Sequence, residues 1–91
     1  MANVSNYLSL SETATGTVKT STIDCSEILL LQNDGATGIT FNFDNGITSG
    51  NTIRLKIGES LQNLPIKCTT LYYIATGGDE AFRMIGLKNL V

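Results

Sequence analysis

Histidine and tryptophan are absent from this chain, proline occurs once, and charged residues fill only 15% of its 91 positions. Each shortage excludes something. Without histidine the chain lacks the commonest general base and the commonest transition-metal ligand. Its two cysteines, Cys25 and Cys68, are too few for a structural zinc site without histidine partners. They stand too far apart for a redox CxxC and read as buried, reduced thiols; a disulfide between them requires that their strands pack together. The six basic residues (Lys19, Arg54, Lys56, Lys67, Arg83 and Lys88) are scattered. No stripe of them could track phosphates, which argues against nucleic acid as a partner. No apolar run reaches 18 residues, so no membrane-spanning helix is written here. The opening "MANVSNYLSLSETATG" lacks the charged and apolar regions of a signal peptide, and predicts maturation in the cytoplasm of the cell that makes the protein.

What is present favours strands. Threonine occurs twelve times, asparagine eight and glycine nine. β-Branched residues punctuated by turn formers suit strands and turns over helices. A chain of this length makes one domain and buries roughly 64% of its unfolded surface, a thin core that often draws stability from association. Low charge with 42% hydrophobic residues is the reverse of a disorder signature.

Residues 1–12 read as a polar arm with isolated apolar sites, and 13–91 as a single β domain. "TGTVKTSTI" (15–23) reads as a polar, edge-like strand, and "SEILLLQN" (26–33) as a strand buried on both faces that ends in an Asn-Asp-Gly turn. "ITFNFDNGITSGNTIRLKI" (39–57) reads as a β-hairpin, with strict alternation on either side of a glycine-rich turn. Ile39, Phe41, Phe43, Ile53, Leu55 and Ile57 make a dry face; Thr40, Asn42, Asp44, Arg54 and Lys56 make a wet one. "ESLQNL" fits either one helical turn or a short extended piece before Pro65. "IKCTTLYYIA" (66–75) carries bulk on both faces and reads as a central strand; "AFRMIGLKNL" (81–90) closes the series. Seven to eight short strands with turn signals every 8–12 residues predict a small antiparallel β-sandwich or jelly-roll-like barrel.

No catalytic constellation is legible. The serines lack GxSxG or SxxK context, and neither a P-loop nor GxGxxG occurs. Asp44, Asn45 and Asn51 gather oxygen atoms near the hairpin tip, but their spacing is not that of an EF-hand loop and reads as turn chemistry. The sequence therefore predicts a non-enzymatic protein without catalytic residues, cofactor or metal.

The second half has a compact order of motifs. An Asn-terminated strand is followed by "ITFNFDNG", then "IRLKIGESL", then "CTTLYYIATGGDEAFRMIGL". Over residues 26–88 this resembles small β-rich virion structural proteins of tailed bacteriophages. The resemblance implies a head decoration or cement protein. Such a protein binds the major capsid protein or another virion protein as a homo-oligomer, with a trimer favoured, on a capsid surface assembled in the host cytoplasm. A head–tail joining, tail or fibre-base protein is the alternative. A carbohydrate-binding β-sandwich using Tyr72 and Tyr73 is a further one. Low charge and abundant Ser, Thr and Asn suit broad protein contacts, since few charges need desolvating. The candidate interface residues are Val4, Tyr7, Leu8 and Leu10 in the arm, and Arg54, Lys56 and Arg83 on strand faces. The plain alternatives are a solvated face for Arg54 and Lys56, and a surface pair between Arg83 and Asp79 or Glu80.

Overall fold

The computed structural model describes residues 7–44 and 52–88. Seven strands and no helix occupy them: β1 (Tyr7–Ala14), β2 (Lys19–Asn33), β3 (Ile39–Phe43), β4 (Ile53–Leu55), β5 (Ser60–Leu64), β6 (Cys68–Ile74) and β7 (Glu80–Lys88). They form one antiparallel sheet in the order β1-β7-β2-β6-β3-β4, with β5 on β2. The sheet curls into a half-barrel, as expected of a small sandwich or barrel-like fold.

The long β2 organises the rest. Its fifteen residues pair with β7 over Cys25–Asn33 and with β6 over Lys19–Cys25. On the β6 side it also pairs with β5, from Ile28↔Leu64 to Gln32↔Ser60. β5 and β6 are thus one interrupted strand, broken at 65–67 where Pro65 cannot donate to a ladder. Opposite the break, β2 shifts register, and Asp24 adopts φ 45°. An extra residue in one strand bends it and tightens its twist, and that bend curls the sheet.

The concave side holds the core: Ile28, Leu31, Ile39, Phe41, Leu71, Phe82 and Met84 are all essentially inaccessible. Phe82 lies edge-on to Phe41 with ring centroids 5.1 Å apart, and to Tyr73 at 4.7 Å. Gly86 is needed for packing. A Cβ there would stand 2.6 Å from the Cys25 sulfur and 3.1 Å from the Glu27 carbonyl oxygen.

Most of the alternating hairpin behaves as its pattern predicts. Ile39, Phe41, Phe43 and Leu55 are buried and Ile53 is half-buried. Ile57 is a correction: it is 63% exposed, in the turn that Gly58 makes at φ 74°. Asn42 is a second. Placed on the wet face by parity, it is buried, and its Oδ1 accepts the Phe43 N–H at 2.9 Å. "ESLQNL" is extended, as β5. Residues 66–75 hold β6, central between β2 and β3 as expected. Val18 precedes β2, which starts at Lys19, later than the predicted start at 15. The boundary drawn at residue 12 falls inside β1, whose ladder with β7 runs from Tyr7↔Leu87 to Ala14↔Glu80.

Candidate functional site

Of the candidate interface residues, Tyr7, Leu8, Leu10 and Arg83 come together on the adjacent strands β1 and β7. Arg54 and Lys56 sit at the other end of the strand order, exposed on and just after β4. Val4 lies outside the described residues. The candidates among the described residues therefore fall in two separate regions.

Parity sorts the side chains of the β1–β7 region. Leu8 and Leu10 turn toward the core and are half-buried against it. Tyr7, Ser9, Ser11 and Thr13 face outward, opposite Leu87, Ile85, Arg83 and Ala81. Tyr7 is 46% and Ile85 37% exposed, and Ile85 is also the ladder partner of half-buried Leu30. An apolar strip thus crosses three strands. Ile85 was legible only as one residue of an apolar run; its outward position follows from Met84 facing in.

Arg83 does not pair with Asp79 or Glu80. Its Nε donates to Asp34 Oδ2 at 2.5 Å and its Nη2 to Asp34 Oδ1 at 3.2 Å. Glu80 and Arg83 are three positions apart on one strand, so they project from opposite faces, while Asp34 lies two residues beyond Gln32, the ladder partner of Arg83. The Arg83 side chain is 54% exposed, so the pair adds little stability. A shallow cleft of about 570 Å³ lies alongside, lined by residues that include Glu12, Lys19, Asp34 and Arg83.

The remaining polar groups are spent on architecture. Glu80 accepts from the Ala36 N–H at 2.6 Å and the Thr37 hydroxyl at 2.5 Å. The Thr37 bond, then the Ala36 bond, hold its carboxyl below the usual carboxylate range, outweighing desolvation, which acts the other way. A folded-state pKa below the unfolded one stabilises above the unfolded pKa, and that contribution is lost as pH falls through the folded value. Glu80→Gln should therefore melt below the parent protein at neutral pH, and the gap should close on acidification below about pH 4. Thermal melts across that range check this; a gap independent of pH would refute it.

Asn33 clamps the same loop. It is fully buried; its Nδ2 donates to the carbonyls of Thr37 (2.7 Å) and Leu55 (2.9 Å), and its Oδ1 accepts from the Gly35 N–H (2.8 Å). Sequence reasoning read Asn33 only as a strand end; an Asn-Asp-Gly turn is the one available signal. Asp44, at φ 69°, accepts the Thr69 and Thr70 N–H groups at 2.9 and 2.8 Å, both on Oδ1, so that oxygen serves backbone. Asn45 and Asn51, the rest of the weighed calcium cluster, lie outside the described residues. Among the described residues, no group of three or more His, Cys, Asp or Glu could hold a metal.

Cys25 and Cys68 face each other across the β2–β6 ladder, both buried and free. Burial first, then Asp44, pushes the Cys68 thiol up to about 12; burial first, then Asp24, raises Cys25. Tyr73 is 2% exposed, with its hydroxyl 2.8 Å from Ser21 Oγ. It is a core residue, unavailable for stacking a sugar, which corrects the carbohydrate alternative at that position.

No protein-family model matches the chain, and no curated protein matches it. A solved chain does share the fold. It comes from work described as "Bacillus endospore appendages form a novel family of disulfide-linked pili". The two superpose with a TM-score of 0.54 at 16% identity, over 91% of this chain and 86% of the other.

Proposed function

We propose that this protein is a non-enzymatic structural subunit that works as one of many copies in a protein assembly. The observation that carries this reading is the fold shared, over 91% of the chain, with a subunit of a pilus. The polar chemistry is compatible with it: Asn33, Asp44 and Glu80 hydrogen-bond to backbone and loop groups of the chain itself. The contacts between copies are non-covalent. Cys25 and Cys68 are 0% and 3% exposed, so neither thiol meets another copy without local unfolding.

A virion setting is the narrower form of this reading, with the subunit as a decoration protein, in trimers, on a major capsid protein. It is supported by the sequence resemblance of residues 26–88 to phage virion proteins. An appendage on a cell or spore surface is the other narrower form, and the shared fold favours it.

Light scattering and negative-stain microscopy over a wide concentration range test the reading. Oligomers, rings or fibres well above the 9.7 kDa monomer are expected. A monomer at every concentration would remove self-assembly, and co-sedimentation with capsids would then test the decoration role alone.

A further inference from the structure

Among the described residues, four strand edges lack a ladder partner on one side, and three of them carry features that block pairing. β4 is three residues long, with Arg54 inside it and exposed Lys56 beside it. β5 has Asn63 at φ 54° and ends against Pro65. The early part of β2 starts with Lys19 and breaks at Asp24, φ 45°. Short length, charge, irregular φ and proline are the devices that stop a sheet edge from adding a foreign strand. β1 has only a single charge of its own and, toward its end, the Lys19 ammonium at 3.5 Å from the Thr13 carbonyl. It is eight residues long, its register with β7 is unbroken, it has no Pro, Gly, Lys or Arg, and Glu12 is its single charge.

We infer that β1 is a docking edge, and that its occupant is β1 of a second copy, paired antiparallel about a twofold axis with Ser9 opposite Ser9. The idea rests on the self-association proposed above and names its contact. Keeping the inward faces continuous requires that residues of like parity face each other. Centring on Ser9 sets Leu8 opposite Leu10 twice and Tyr7 opposite Ser11 twice. The added strand covers the open flanks of both leucines. Moving the centre to Leu10 places Leu8 against Glu12; centring on Ser11 places Leu10 against Glu12; centring on Glu12 opposes two carboxylates. Of these registers, only the Ser9-centred one sets both leucines of each copy opposite leucines; the Leu10-centred one pairs Leu10 with itself but opposes Leu8 to a carboxylate. A twofold contact of this kind is self-complementary and closes on itself. It leaves the β4 end free for other contacts.

Cross-linking tests it on the full chain. Ser9 is exposed, so Ser9→Cys leaves the fold alone. Directly opposed strand residues have Cα atoms about 4.5–5.5 Å apart, within disulfide range. With oxidised glutathione as the oxidant, Ser9→Cys should form a reducible dimer at least about tenfold faster than Ser11→Cys or Thr13→Cys, whose self-separations grow by about four strand residues from each position to the next. The parent protein, with buried Cys25 and Cys68, should form none. Equal rates at all three positions would mean random collision and overturn the contact. If the parent self-associates by light scattering while Ser9→Cys fails to cross-link, the β1 contact is wrong and self-assembly stands. A parent that is monomeric throughout refutes both.

Discussion

Phe82→Ala is expected to lower the unfolding free energy by about 3–5 kcal/mol, the usual cost of emptying a buried phenylalanine site. The site cannot readily collapse. Phe82 is 1% exposed and lies edge-on to both Phe41 and Tyr73, which are ladder partners on the neighbouring strands β3 and β6. Each aromatic pair adds about 0.5–1.5 kcal/mol beyond area burial. Native domains have only about 5–15 kcal/mol in hand, so the loss takes a large share. For a chain of this size the melting temperature should fall by at least about 12 °C. Phe82→Leu, which keeps most of the volume but not the ring, should fall between. Denaturant unfolding measures all three proteins. A loss below about 1 kcal/mol for the alanine variant would mean the half-barrel has no shared aromatic centre.

Asn33→Ala should cost about 2–4 kcal/mol, through hydrogen bonds rather than volume. One amide satisfies the carbonyls of Thr37 and Leu55 and the N–H of Gly35. Removing it orphans all three, and the Asn33–Leu55 bond is buried. Part of the cost is recovered, because the Gly35 and Thr37 ends are only partly buried and water can reach them. Asn33→Asp is the sharper test. It keeps the shape but turns the double donor into an acceptor aimed at two carbonyls, and it places a charge in a dry site. The aspartate should be at least as destabilising as the alanine at neutral pH. Denaturant unfolding of the two variants decides; a well-tolerated aspartate would mean the amide does not bind those carbonyls.

The strands themselves were legible because a period of two leaves a mark on every residue. Ile39, Phe41, Phe43 and Leu55 are buried where alternation put them. β6 was legible as central because it carries bulk on both faces. Partners were harder to read. Arg83 finds Asp34, 49 positions away, because β7 lies beside β2. Asn33 reads as a turn former, and nothing local says that its amide will meet Leu55. Tyr73 belongs to a strand that reads as central, but nothing local says that its ring will pack on Phe82. Ile57 fits the alternation to its last position, but Gly58 turns the chain there and exposes it.

Taken alone, the sequence determined that the chain is all-β, where most strands lie, and that it lacks the residues for the commonest catalysis. These properties depend on residue type and local spacing, and a neighbour far along the chain does not change them. The tertiary structure decided which strands meet. β2 bends where Asp24 takes a positive φ, carries β7 on one side and the interrupted β5–β6 strand on the other, and curls the sheet. That curl sends Leu8 and Leu10 inward and Tyr7 outward, and it leaves β1 as the one long, unbroken edge among the described residues. A pairing edge is a property of backbone groups without a partner, so it exists only once every other strand has found its own.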